Sequence, residues 1–403
     1  TMRPETMEIR FHALAFGGEA VGKDPEGRAV FCLYAAPMER SRVRLVERHK
    51  TWARAALERV LAPGPDRVEP RCRHFGSCGG CLWQHVSYAC QLAAKKAIVE
   101  GAIRRIGIEL EGPPPTDSPF GARRRVRMVA RVGRLGYFGF RSHKFVAVEE
   151  CPAMEPRLWE ALRGAAPKRD GEVSALSGSN GVQILGAGLD RGESVDLAEP
   201  GEPAFRVPAD AFAQASASGD RALRATVLEW AGRGTGAGSG PGGASEAAAV
   251  SAPPATFRIL ELFTGAGNFT RLLARDGAAV VAVEREPRAV EWLRKNAPSA
   301  EIDARDASAA VKAFQEAGRR FDAIVLDPPR GGCANLLADL AALAPARIVY
   351  VSCDPMTLAR DLLALASLGY RTERLRAFDL MPQTPHVECV ALLLPAAGAG
   401  PIA

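Results

Sequence analysis

No stretch of this 403-residue chain approaches the ~20 consecutive apolar residues that span a bilayer. The opening residues, Thr1-Met2-Arg3-Pro4-Glu5-Thr6, lack the apolar core of a signal peptide. Membrane insertion and secretion are therefore not expected, and a cytoplasmic protein is. Charge of one sign is in small excess: 52 Lys and Arg against 46 Asp and Glu leave +6, with a pI near 8.9. That balance suits a polyanionic partner without requiring one. Hydrophobic content of 47% and a mean hydropathy of −0.05 describe an ordinary globular chain, long enough for two or three domains. In a chain without secretory features, nine cysteines argue for metal or catalysis rather than disulfides.

Two smaller absences shape the reading further. Cys72-x5-Cys78-Gly79-Gly80-Cys81 sets three cysteines in ten residues, with glycines that let the loop aim its sulfurs at one point, but a fourth is missing. Cys151, stiffened by Pro152, is the preferred fourth ligand, with Cys90 and His85 as rivals. Four thiolates suit zinc or an iron–sulfur cluster, and spacing does not choose between them. The turn Thr264-Gly265-Ala266-Gly267-Asn268-Phe269-Thr270 follows a strand at 258–263 and lacks the third glycine of the dinucleotide fingerprint. A bound pyrophosphate is disfavoured, although a ligand can still approach the backbone. The next strand, 279–284, ends in Glu284, whose carboxylate can accept both ribose hydroxyls. Together these point to a nucleoside cofactor without phosphates, S-adenosylmethionine.

Along the chain, residues 7–59 read as a small all-β module, an OB-like barrel with Arg40, Arg42, Arg44, Arg48, Lys50 and Arg54 forming a basic face. Residues 87–106 read as an amphipathic helix, with Leu92, Ile98, Ile103 and Ile106 apolar and Lys95, Lys96, Arg104 and Arg105 polar. The run Arg123-Arg124-Arg125-Val126-Arg127-Met128-Val129-Ala130-Arg131 alternates as a half-buried strand, and 134–141 is its hairpin partner with Tyr137 and Phe138 exposed. A basic strand beside aromatics suits phosphate contact and base stacking; a charged surface over an aromatic cross-strand pair is the plainer account. Residues 157–202 yield only short strands, a helix is expected over 218–230, and the Gly/Ala-rich stretch 231–256 reads as a linker.

From residue 258 the pattern is β-α-β-α, a doubly wound sheet. Strands at 300–304 and 321–327 lead to Asp306 and to Asp327-Pro328-Pro329-Arg330. The strand Arg347-Ile348-Val349-Tyr350-Val351-Ser352 delivers Cys353 to a strand-to-helix turn, since Asp354-Pro355 halts it. Cys353 is read as a nucleophile; a lone cysteine is more often a small core residue. Its company argues otherwise: Gly265, Glu284, Asp306, Asp327 and Cys353 all fall just past strand ends, where open α/β sheets bind ligands. Glu388, in His386-Val387-Glu388, opens a last apolar strand.

These motifs, in this order, resemble the RNA 5-methyluridine (uracil-C5) methyltransferase family, in particular the bacterial 23S rRNA branch. The resemblance rests on the four cysteines, Gln214, the 261–267 turn, Asp327-Pro-Pro-Arg330, Ser352-Cys353-Asp354-Pro355 and His386-Val387-Glu388, and spans nearly the whole chain. It implies an RNA-binding TRAM module over 1–62, a central α+β region over 63–205 and a Rossmann-like methyltransferase domain over 206–403. It further implies a [4Fe-4S] cluster on Cys72, Cys78, Cys81 and Cys151, Cys353 as nucleophile and Glu388 as general base. Gln214, Glu284 and Asp327 would contact cofactor or target base; Phe263, Gly265, Gly267 and Asp306 complete the expected cofactor site. 23S rRNA is the expected partner, with a tRNA T-loop as the alternative, and the protein is expected to be a monomer. A cytosine-C5 enzyme would want a second active-site cysteine, for which Cys333 and Cys389 lack the Pro-Cys or Thr-Cys context. A non-catalytic RNA-binding or redox iron–sulfur protein would leave Cys353 and Glu388 unexplained. The chain departs from the family pattern at Glu261, where Asp is frequent, at Ser216, where Asn is, and in the 231–256 insertion.

Overall fold

The computed structural model describes residues 5–113, 118–233 and 257–396. The chain opens with β1 (Thr6–Leu14), β2 (Ala20–Lys23), β3 (Ala29–Cys32), β4 (Arg40–Arg48) and β5 (Trp52–Ala62), closed into a barrel of order β1-β2-β3-β5-β4. Alternation sends Ile9, Phe11, Val30 and Val43 inward, and closure leaves no edge to be protected. The strand β2 escaped the sequence reading because it is four residues long and holds Gly22, where a Cβ would stand 2.4 Å from Ile9 Cγ2. The expected basic face is largely neutralised. Arg40 and Arg42 lie near Glu8, Arg44 near Glu58, Arg48 pairs with Glu5, and Arg54 with Glu19 and Glu47.

Next come α1 (Tyr88–Ile103), capped by Ser87, and β6 (Leu110–Glu111). The buried face of α1 is Gln91, Lys95, Val99 and Ile103. Lys95, expected in solvent, is fully buried against Asp379, so its partner rather than its hydropathy decides its place. A five-stranded sheet follows, of order β11-β10-β7-β8-β9: β7 (Arg125–Arg131), β8 (Arg134–Phe138), β9 (Phe145–Ala147), β10 (Gly171–Gly178) and β11 (Gly181–Leu185). Between β9 and β10 lies α2 (Pro156–Arg163), a helix the sequence reading missed. Pro156 starts it, and Leu158 and Leu162, one turn apart, bury against the sheet. Two short strands, β12 (Val195–Asp196) and β13 (Arg206–Val207), pair with each other, and α3 (Ala217–Leu228) begins at Ser216. The chain continues from α3 through a turn that breaks at Gly232 (φ 83°), and Ala231 is fully buried, so no linker starts at 231; residues 234–256 of that expectation lie outside the described residues.

The remaining elements are β14 (Arg258–Leu262), α4 (Thr270–Leu273), β15 (Ala279–Val283), α5 (Pro287–Asn296), β16 (Glu301–Asp303), α6 (Ala307–Glu316), β17 (Ala323–Leu326), α7 (Leu337–Ala342), β18 (Arg347–Ser352), α8 (Pro355–Ser367), β19 (Tyr370–Phe378) and β20 (Glu388–Pro395). Their sheet runs β16-β15-β14-β17-β18-β20-β19-β6. Its first five strands are parallel, and β20 is antiparallel to both β18 and β19. Both faces are covered, which is why these strands read as continuous apolar runs. Leu260, Leu262, Ile324 and Tyr350 join one core, Ile259, Val325, Val349 and Val351 the other. The sequence goes one way from β14 to β15 and the other way to β17, so a crevice opens where the order reverses. The edge strand β6 comes from the 63–205 region, tied on by Glu111, which accepts from Arg374 and Arg376.

Candidate active site

At the carboxyl edge of β14, β15, β17 and β18 lies a cleft of about 760 Å³. Phe263, Gly265, Glu284, Asp327, Cys353 and Glu388 line it, joined from outside the sheet by Gln214 and Arg330. Phe263 and Gly265 both turn through positive φ, 62° and 55°. A side chain at Gly265 would meet nothing within 4 Å, so its backbone is open to a ligand. The Glu284 carboxylate accepts from the N–H of Gly265 and of Glu286, both at 2.9 Å, which fixes the acid beside the glycine turn.

Two expected members stand elsewhere. At Gly267 a Cβ would lie 2.9 Å from Leu293 Cδ1, so this glycine permits packing against α5 and does not line the cleft. Asp306 caps α6 by accepting from Ser308 N–H, pairs with Arg285, and is also absent from the cleft lining. The strand β16 that leads to it is the edge strand of the sheet, beside β15. Ser216, the other departure, caps α3 by accepting from Gly219 N–H at 3.2 Å.

The expected basic strand is divided by its surroundings. Arg124 is buried, donating to Gln214 C=O at 3.0 Å and to Asp220 at 2.8 Å; it holds Gln214 in place and is not available to phosphate. Arg125 is half-buried and donates to Ala211 C=O. Arg127 and Arg131 do face outward. Tyr137 is not the exposed platform anticipated: its hydroxyl is buried without a hydrogen-bond partner. Phe212, 65% exposed and lining the cleft two residues before Gln214, was not singled out from sequence. Its mark there is only a phenylalanine in a loop of small residues.

Cys353 is half-buried at the end of β18. Asp354 caps α8, accepting from Met356 and Thr357 N–H at 3.0 and 2.9 Å. Burial pushes the Cys353 thiol up to about 11, the charges of Glu388 and Asp327 push the same way, and Arg330 opposes them without prevailing. In the protein alone, then, the site does not favour the thiolate. Burial also raises Asp327 to about 7 and Glu388 well above the usual carboxylate range, the latter with help from Asp327. His386 is held down to about 4, chiefly by burial and then by the charges of Arg330, Lys95 and Arg123, and so is neutral. Beneath the cleft, Glu261 is buried with neither carboxylate oxygen in a hydrogen bond of good geometry. Burial lifts it to about 8, and the Thr270 hydroxyl nearby offsets only part of that.

Cys72, Cys78, Cys81 and Cys151 line one small pocket with Phe75, Gly80, Arg123 and Tyr137. None is in a disulfide. The rivals fall away from it: His85 is bonded to Ala35 C=O and Cys90 packs against the barrel core. Among the described residues no group of three or more His, Cys, Asp or Glu side chains is arranged to hold a single metal ion. Four thiols around a common pocket, with the half-buried Arg123 guanidinium donating towards Cys81, fit an anionic thiolate-bound group. Gly80, Arg123 and Tyr137 line both this pocket and the main cleft. No helix among the described residues is long and apolar enough to cross a membrane.

Residues 251–395 match the family model described as tRNA (Uracil-5-)-methyltransferase. The chain is 33% identical, over 94% of its length and 91% of the relative's, to the 23S rRNA (uracil(1939)-C(5))-methyltransferase RlmD of Pectobacterium atrosepticum. It is 31% identical to the protein of that name from Aeromonas salmonicida, over 97% of each chain. Its fold is similar to that of the Pyrococcus abyssi tRNA (uracil-54, C5)-methyltransferase, solved with S-adenosyl-L-homocysteine. There the TM-score is 0.70 at 23% identity, over 96% of this chain and 99% of that one. With its glycine turn, its acid pair and Cys353 gathered in one cleft, and with near-full-length relatives at this level of identity, the chain belongs to the RNA uracil-C5 methyltransferase family.

Proposed function

We propose that this protein methylates carbon 5 of one uridine in 23S rRNA by transient covalent addition of Cys353 to the base. The observation that carries the reading is the meeting of Cys353, Glu388, Asp327 and Arg330 in a cleft that also holds Glu284 and Gly265. S-adenosylmethionine, held by Phe263, Gly265 and Glu284, supplies the methyl group. Carbon 5 of uracil is a poor nucleophile. The Cys353 thiolate forms a bond to carbon 6, the electron pair moves to the carbonyl side as an enolate, and carbon 5 becomes able to accept the methyl. Glu388 then removes the carbon-5 proton, the ring double bond re-forms and the S–C6 bond breaks, returning the thiolate. A carboxylate raised by burial is a stronger base once ionised, but a smaller fraction is ionised at neutral pH. Arg330 is the cation placed to oppose that cost at the thiol.

Phe212 offers an exposed ring on which a base removed from its stack can lie, and Arg127 and Arg131 face the solvent where phosphates would pass. The Cys72, Cys78, Cys81 and Cys151 pocket holds a [4Fe-4S] cluster in this reading, because a cubane keeps its four thiolates farther apart than one tetrahedral ion does. The barrel, β1 to β5, makes 1–62 a TRAM module, with 63–205 the cluster-bearing region and 206–403 the methyltransferase region. The test is methyl transfer from labelled S-adenosylmethionine by the purified protein to 23S rRNA and to tRNA transcripts. Incorporation at carbon 5 of one 23S uridine, lost in Cys353→Ala, is expected; transfer to the tRNA T-loop alone would move the target, and transfer to cytosine would overturn the reading.

A further inference from the structure

Between β19 and β20 the chain makes a loop from Asp379 to Val387 that walls the cleft and ends on Glu388; Leu380, Met381, Thr384, Pro385 and His386 line the cleft from it. Leu380 and Val387 pack into the two cores of the methyltransferase sheet, while the polar groups of the loop are held from α1. Lys95 of α1 is fully buried against the Asp379 carboxylate and donates also to Met381 C=O at 3.2 Å, while Tyr88 donates its hydroxyl to Asp379 at 3.0 Å. Gln91, between them on the same helix face, exchanges two hydrogen bonds with Gln383: it accepts from Gln383 N–H at 2.9 Å and donates to the Gln383 side-chain oxygen at 3.0 Å. Gln383 is 2% exposed and has φ 69°, a conformation that costs a residue with a side chain something to adopt. Its C=O accepts from the N–H of both Leu82 and Trp83, at 2.9 and 3.0 Å. Leu82 directly follows Cys81.

We propose that the α1 face bearing Tyr88, Gln91 and Lys95 positions Glu388 by holding the 379–387 loop through Asp379 and Gln383, and that Gln383 ties this loop to the cysteine pocket. The geometry explains why a carboxamide and an ammonium are buried, and a phenol half-buried, on a helix whose other buried positions are apolar. Each meets a polar group of the loop, and a buried polar group left unpaired would be expensive. It also gives the cysteine pocket a mechanical line to the active site: a displacement at Cys81 reaches Gln383 through the two amides that follow it. Gln91 and Gln383 touch no reacting atom in this scheme and are positioning residues. The inference rests on the reading of Glu388 as the base.

The experiment separates adduct formation from proton removal. The RNA is a 23S rRNA transcript made with uridine or with 5-fluorouridine; with fluorine at carbon 5 there is no proton for the base to take, so covalent capture needs Cys353 but not Glu388. Gln91→Met keeps the volume of the side chain and removes its polar bonds. With uridine RNA its turnover is expected to fall on the order of tenfold to a hundredfold, with a covalent band accumulating, while the fluorouridine adduct forms at the wild-type rate. Equal loss of both rates, or loss of neither, overturns the proposal. Thr384→Val is the second variant. Thr384 donates to Met381 C=O at 2.7 Å and accepts from His386 N–H at 3.3 Å, so it braces the loop from within and leaves α1 intact. The same split of rates is expected, and it decides the matter if Gln91→Met does not fold. If Glu388→Gln itself accumulates no band with uridine RNA, the base assignment fails; a band there with none in either loop variant overturns this inference alone.

Discussion

Ser352 and Cys389 face each other across the antiparallel ladder of β18 and β20, and Cys353 follows the first as Glu388 precedes the second. Cys353 and Glu388, the nucleophile and base proposed above, therefore emerge at the same end of two adjacent strands. Directly opposed residues in such a ladder have their Cα atoms about 4.5–5.5 Å apart. In the proposed mechanism, a base so placed would reach the carbon next to the one the sulfur attacks.

Glu388→Gln is expected to stall after methyl transfer. Cys353 can still add and carbon 5 can still be methylated, but its proton has no acceptor and the S–C6 bond cannot break. A denaturing gel of the variant with uridine RNA and S-adenosylmethionine should show a slow band, absent when Cys353→Ala is added. Normal turnover without a band would remove Glu388 as the base; a band surviving in the double variant would move the adduct to Cys389 or Cys333.

The reactivity of Cys353 should climb with pH. Its charged form is the thiolate, and burial with Glu388 and Asp327 raises the thiol to about 11 in the RNA-free protein. The rate of alkylation by iodoacetamide, followed at Cys353 by mass spectrometry, should rise about tenfold per pH unit from 7 to 9 with no plateau. Arg330→Met removes the one cation that opposes the rise and should slow alkylation at each pH. A plateau below pH 8 would show that another group activates the thiol.

Glu261→Gln should stabilise the protein, and more so at high pH. In the folded chain this carboxyl is raised to about 8, above its value of about 4.5 when exposed. Below the lower value both states hold the proton and it has no effect. Between the two only the unfolded state ionises, so stability falls as pH rises, and above 8 the whole cost is present. The variant lacks that cost. Thermal melts should place it close to wild type at pH 4.5 and higher at pH 9, by up to a few kcal/mol; equal differences at both would mean that Glu261 is ionised throughout.

Protein purified without oxygen should be brown and carry about four iron and four sulfide per chain. Cys78→Ser and Cys151→Ser should both lose the colour and melt at lower temperature, because binding energy at such a site is folding energy. One zinc per chain and no visible absorbance would overturn the cluster.

Arg124, just before β7, and Arg127, three residues on within it, should behave differently. Arg124→Met leaves Asp220 short of a partner in a buried pair and should cost about 3–5 kcal/mol of stability. Arg127→Ala should leave the melt unchanged and flatten the slope of log K for RNA against log salt by somewhat under one unit. A flattened slope in a properly folded Arg124→Met protein would place that guanidinium on RNA.

Much of the site is written locally. Strand, glycine turn and helix in 258–273, the acid ending the next strand, the halted strand at Ser352-Cys353-Asp354-Pro355 and the three clustered cysteines each depend on neighbours a few residues away. Backbone conformation and hydrophobic periodicity act over that range, and strand ends of a doubly wound sheet must share an edge. What local pattern could not supply was which strand ends are close enough. Asp306 obeys the same rule as Asp327 but follows the edge strand β16, and it caps a helix instead of facing the cleft.

The sequence by itself determined the α/β class and named Cys353 with Glu388 and the four cysteines, which the structure gathers in one cleft and one pocket, because each is carried by residue type at fixed spacing. Tertiary structure decided the rest. Lys95 meets Asp379 from 284 residues away, and Arg124 meets Asp220 from 96; each reads as a solvent charge until its partner arrives. The protonation of Cys353, Asp327 and Glu388 belongs to the same class, since burial and mutual repulsion outweigh the single arginine only when all four groups share one cleft. Charge is long-ranged and desolvation depends on everything packed around a group, so neither can be read from neighbours in the chain.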